Sequence, residues 1–186
     1  DGCTDNTFAL ATATAKEPEC AHLNINIIEC QENRGKVAVL NEVLSDLECE
    51  LVALTDTSAL LSIDALLIAA YRFKDPKIGV LNGHYRVIAP GSQREQSYWD
   101  YQSQIKATEA ALGSTLGAHG AFYMFRYALF EPLACDTIND DFILPMKIVA
   151  AGYRADYEQA INALELESTT SEQEQQRRRR IAAGNT

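Results

Sequence analysis

The sequence predicts a doubly wound α/β fold, a sheet with helices on both faces, and three observations carry that expectation. Strand-like and helix-like patterns alternate through the first half of the chain. The apolar run Leu51-Val52-Ala53-Leu54 ends abruptly in Thr55-Asp56-Thr57-Ser58, as a buried strand of an open sheet ends at a ligand crevice. At 186 residues, 47% of them apolar and 23% charged, the chain has enough material for one domain with a real core.

Each element has its own signal. Thr7 to Lys16 is helix-like, and Asn24 to Cys30 alternates as a strand through Ile25, Ile27 and Ile28. The polar loop Gln31-Glu32-Asn33-Arg34-Gly35 leads into a helix from Lys36, in which Val37, Leu40, Leu44 and Leu47 share one face, as for packing on a sheet. The run at Leu51 suits a strand buried on both faces of a parallel sheet. A helix over about 63–73, a turn at Asp75-Pro76 and a strand over 78–82 follow. Residues 96–112 read as a helix bearing Trp99, the only tryptophan. Three glycines and His119 occupy 113–120. Then come a strand over 121–126, a short helix over 143–150 despite Pro145, and a strand over 153–157. From Ser168 onward the chain is polar, and its densest positive charge is Gln176-Arg177-Arg178-Arg179-Arg180.

The totals exclude several functions. A net charge of −10 opposes general nucleic-acid binding, because a polyanion is repelled. Five cysteines, odd in number and without a CxxC spacing, indicate neither a disulfide framework nor a zinc site. The longest apolar run, near 59–70, contains Ser62 and Asp64 and is too short to cross a bilayer.

A few stretches can carry chemistry. Asp56 at a strand end can hold a metal ion and through it a phosphate, or can cap the next helix. Asp140 and Asp141 precede an apolar segment and can cap a helix, or one of them can act as general base toward a hydroxyl. Lys36 opens a helix whose free amides and ammonium can face an anion. Gly117-Ala118-His119-Gly120 allows close backbone approach to a ligand, as any tight turn does. The arginine run suits a solvated face, a membrane-surface patch or a phosphate clamp.

Taken in order, Asp1-Gly2-Cys3-Thr4-Asp5, Glu32-Asn33-Arg34-Gly35-Lys36 with Asn41, Thr55-Asp56-Thr57-Ser58, Gly117-Ala118-His119-Gly120, Asn139-Asp140-Asp141 and Gln176-Arg177-Arg178-Arg179-Arg180 resemble the family 2 glycosyltransferases. The resemblance is to the membrane-associated bacterial members related to cellulose, chitin and hyaluronan synthases. It implies the GT-A fold, incomplete at the N-terminus, and inverting transfer of a sugar from a nucleotide diphosphate, UDP foremost, to a glycan or lipid-linked hydroxyl.

By the same resemblance Asp1 looks like the acid that pairs with uracil and Lys36 like the basic residue near the nucleotide. Asp56 looks like the first acid of a DxD motif holding Mg²⁺ or Mn²⁺, with Ser58 where a second Asp or an Asn is expected. Asp141 looks like the base and Asp140 its neighbour, while His119 and Gly120 resemble the loop beside the donor sugar. Gln176, Arg179 and Arg180 resemble a QxxRW motif in which Arg180 stands for Trp.

The resemblance further implies a nucleotide-binding part over 1–95, an acceptor and catalytic part over 96–167, and an arginine-rich tail over 168–186. It also implies a first strand and helix before Asp1, which would leave this chain poorly stable alone, transmembrane helices after Thr186, and a catalytic domain on the cytoplasmic face of a membrane. A sugar-phosphate nucleotidyltransferase and a catalytically inactive nucleotide-sugar-binding module are the competing expectations.

Overall fold

The structure is a computed structural model that describes residues 1–88, 93–166, 179, 182 and 183, without the side chains of 93–96. Its contacts divide the chain into two compact units, Asp1–Leu47 and Glu48–Thr186.

The first unit holds helices α1 (Thr7–Thr14) and α2 (Lys36–Ser45). Val37 and Leu44, on the expected apolar face of α2, are buried, whereas Leu47 lies beyond the helix and is exposed. The strand expected over Asn24–Cys30 does not form. Alternation alone makes no strand without a ladder partner. Here Ile25 and Ile28 stand 44% and 50% exposed.

The second unit is built on one five-stranded sheet. Its strands are β1 (Leu51–Thr55), β2 (Ala59–Leu61), β3 (Ile78–Val87), β4 (Phe122–Arg126) and β5 (Arg154–Glu165), in the order β1-β4-β3-β5-β2. The sheet is mixed: β3 and β5 run parallel, while β1–β4, β3–β4 and β2–β5 are antiparallel. This corrects the expectation for β1. It is an edge strand of the described sheet, paired antiparallel, with Val52 buried and Ala53 exposed.

Helices α3 (Ala65–Arg72), α4 (Gln93–Leu112) and α5 (Asp140–Ala150) complete the unit. Ala65, Ala69 and Phe73 of the α3 region meet Leu81 and Tyr85 of β3, Phe122 and Met124 of β4, and Ile161 and Ala163 of β5 in one core. Side chains alternate across a strand, so Tyr123 and Phe125 turn to the opposite face, where α5 packs on β3 and β5 through Leu144 and Ile148. The two faces therefore have different duties. The α3 face holds the apolar core cluster, while the α5 face carries the acids of its helix start.

Arg126, at the end of β4, ties the turn between α3 and β3. Its Nε donates to Ile78 O at 2.8 Å, and its Nη2 donates to Phe73 O at 2.8 Å and Asp75 O at 2.9 Å. Its guanidinium also lies over the Phe73 ring. Replacing Arg126 by Met keeps much of the side-chain volume and removes every donor. The expected cost is about 2 kcal/mol of stability, read as a lower denaturant midpoint with an unchanged slope.

Candidate active site

The second unit brings acids from two distant segments to one point. Thr55 ends β1, and the next residue turns the chain: Asp56 N–H donates to Ala121 O at 3.2 Å, and Ala59 N–H to Asp56 O at 3.1 Å. Asp56 thus sits in the turn between β1 and β2 and caps no helix. It is held beside the start of β4, and Ser58 is exposed in the same turn.

The second acid arrives from α5. Asn139 precedes the helix, and Asp140 and Asp141 form its first turn, where a helix N-terminus favours negative charge. Pro145 lies four residues on. Having no N–H, it leaves the Asp141 carbonyl without its helical partner. Ala118 N–H takes that carbonyl instead, at 2.7 Å. The glycine loop is thereby bolted to the first turn of α5. Gly117, at φ +70°, packs so closely on Phe142 that a Cβ there would lie 2.7 Å from its ring, so the loop tolerates no side chain at this point.

The other end of the loop is fixed just as firmly. Asn82 of β3 donates to Thr115 Oγ1 at 2.8 Å and to Asp156 O at 3.0 Å, and Thr115 Oγ1 donates to Gly117 O at 3.2 Å. His119 Nδ1 accepts the Ala121 N–H at 3.2 Å, which puts the neutral ring's proton on Nε2. The His119 ring stacks on Tyr85, with centroids 4.0 Å apart, and Trp99 meets both rings edge-on.

Gly120 is where these constraints meet. A Cβ built there would stand 3.1 Å from Asp141 Oδ2 and 3.7 Å from Asp56 Oδ2. Residues 85 positions apart in sequence thus present carboxylate oxygens to one small volume floored by glycine. Of the expected site residues in this unit, Asp56 and Asp141 meet at Gly120, His119 precedes that glycine and stacks on Tyr85, Ser58 lies in the Asp56 turn, and Asp140 is buried beside Asp141. Among the described residues no group of three or more His, Cys, Asp or Glu side chains is arranged to hold a metal ion.

Sequence reading missed Tyr123. It is 1% exposed, and its hydroxyl has no hydrogen-bond partner among the described residues. Burial pushes the phenol far above its ordinary range, and Asp140, Asp141 and Asp56 push it the same way. A buried hydroxyl without a partner costs about 1–3 kcal/mol. The only signal in the sequence was its place three residues after Gly120.

In the first unit, Asp1 grips the turn that opens α2. Its carboxylate accepts the N–H groups of Arg34, at 3.0 and 3.1 Å, and Gly35, at 3.0 Å, immediately before Lys36. Asp1 and Lys36 are therefore neighbours through the loop between them. Arg179 is helical and exposed. Gln176 and Arg180 lie outside the described residues.

No protein-family model matches the chain. A poly-beta-1,6-N-acetyl-D-glucosamine synthase of Staphylococcus aureus is 26% identical over 166 residues, covering 85% of this chain and 39% of the relative. The protein of the same name from Staphylococcus epidermidis is 24% identical over the same length. The chain thus spans 39% of the length of these curated relatives. Among solved structures, mannosyltransferase PcManGT from Pyrobaculum calidifontis, in complex with GDP-Man and Mn²⁺, superposes with a TM-score of 0.77 at 25% identity, over 95% of this chain and 48% of that one.

Proposed function

We propose that this chain, whose relatives and GT-A fold are those of the family 2 glycosyltransferases, is catalytic machinery of an inverting enzyme that moves a sugar from a nucleotide diphosphate to an acceptor hydroxyl. The observation that carries the reading is the approach of Asp56 and Asp141 to one point at Gly120. The acceptor is a growing glycan or a lipid-linked saccharide, a reading supported by relatives named as polysaccharide synthases.

The two acids divide the work. Asp141, fixed at the start of α5 by the Ala118 bond to its carbonyl, takes the acceptor proton as the oxygen attacks the anomeric carbon. Attack comes from the side opposite the nucleotide, and a single displacement inverts configuration. A retaining route through a covalent intermediate needs a second, nucleophilic carboxylate, and Asp56 is assigned elsewhere. Asp56 is the residue that would hold a divalent cation, Mg²⁺ or Mn²⁺. Carboxylate oxygen suits such hard cations, which are commonly bound by one or two carboxylates together with substrate phosphates. A dedicated cluster of three protein ligands is therefore not required. When bound, the cation neutralises charge on the departing diphosphate.

On the strength of the resemblance, Asp1 and Lys36 are the candidates for the nucleotide, UDP in our reading. Ser58, His119 and Gly120 border the donor, and Gln176, Arg179 and Arg180 serve its phosphates. Association with the cytoplasmic face of a membrane belongs to the same reading; among the described residues no helix is long and apolar enough to cross one.

The test incubates the full-length protein and Mn²⁺ with a panel of UDP- and GDP-sugars and an oligosaccharide acceptor. Release of nucleoside diphosphate together with an inverted linkage is the expected result. Formation of nucleotide sugar and pyrophosphate from sugar phosphate and nucleoside triphosphate would establish the nucleotidyltransferase instead. Binding without turnover across the panel would establish an inactive binding module.

A further inference from the structure

We propose that Tyr123 is a positioning residue of this pocket: its hydroxyl donates its one proton to a carboxylate of the Asp140–Asp141 pair when donor is bound and fixes the direction from which Asp141 takes the acceptor proton. The inference rests on the glycosyltransferase reading above.

The placement is set by the sheet. Tyr123 pairs with Leu54 across β1 and with Asn82 across β3. It therefore lies beside Leu54, two residues before Asp56 in the chain, and follows Gly120 by three residues. Its neighbours Phe122 and Met124 fill the α3 core, which turns Tyr123 to the α5 face, toward Phe125 at 6.2 Å between ring centroids. That face carries the acids at the N-terminus of α5. A phenol buried to 1% exposure and lacking a hydrogen-bond partner among the described residues is out of place in a purely structural role, because phenylalanine fills the same space without the polar atom. The nearby carboxylates, when ionised, can only accept hydrogen bonds, and a neutral phenol brings one proton to give. A hydroxyl kept at such a place is explained by a partner it serves during turnover.

The test compares Tyr123→Phe with the parent in the full-length protein, measuring kcat, the KM for donor and the melting temperature. We expect kcat to fall about 10- to 100-fold, as for loss of a residue that orients a reacting ligand or base. Donor KM should stay within about twofold, and the melting temperature should be unchanged or higher, since removing an unsatisfied buried hydroxyl does not weaken packing. Equal kcat in an active parent and Tyr123→Phe would overturn the inference alone. So would a kcat loss matched by a lower melting temperature, which would make Tyr123 a packing residue. A parent that turns over no nucleotide sugar would overturn the glycosyltransferase reading and this inference with it.

Discussion

Asp141→Asn lowers kcat for sugar transfer by about 10²–10⁴-fold, the range expected for loss of a general base, while cation-dependent binding of the nucleotide sugar survives. The amide has the shape of the carboxylate and keeps one acceptor oxygen, but it takes no proton at neutral pH. The substitution leaves the main chain alone, so the Ala118 N–H bond to the residue 141 carbonyl persists and the glycine loop stays docked. Steady-state kinetics beside a thermal melt decide the matter. A fall in kcat with an unchanged melt assigns Asp141 to chemistry. Activity within a few-fold of the parent places the base elsewhere, with buried Asp140 the first candidate.

Asp56→Asn acts on the other side of the pocket and shows a different signature. Activity falls by about 10²–10³-fold, the usual consequence of losing one preorganised electrostatic contact to a developing charge. The Mn²⁺ concentration for half-maximal rate also rises, which Asp141→Asn does not cause. Asp56 lies in a tight turn whose backbone bonds to Ala121 and Ala59 involve no side-chain atom, so the fold is expected to survive the change. A rate loss with an unaltered Mn²⁺ dependence would remove Asp56 from the cation and leave it a turn residue.

Much of this architecture was legible in the chain. The helix beginning at Lys36, the Asp75-Pro76 turn and the strand near Phe122 follow from apolar period and turn chemistry, which are local. What failed was non-local. Leu51-Val52-Ala53-Leu54 looks the same whether its partner runs parallel or antiparallel, and only pairing with 122–126 shows that its partner in the described sheet is antiparallel. Ile25, Ile27 and Ile28 had the period of a strand and form no ladder among the described residues.

The candidate site divides along the same line. Asp56, His119 and Asp141 were readable as residue types following a family pattern. The docking of the glycine loop on Asp141 uses the carbonyl that Pro145 releases to Ala118, a signal visible in sequence as a proline four residues after an acid, which reading by period treats only as an obstacle to a helix. Tyr123 was illegible because burial beside three acids is a property of the folded sheet. In a strand pattern it is one aromatic among Phe122, Tyr123 and Phe125.

The most direct measurement is an anomalous diffraction map of the full-length protein crystallised with Mn²⁺ and a non-hydrolysable nucleotide sugar. The account expects the manganese peak on the Asp56 carboxylate and the diphosphate, with the Asp141 carboxylate on the opposite face of the sugar ring. A peak away from Asp56, or Asp141 on the diphosphate side of that ring, would contradict it.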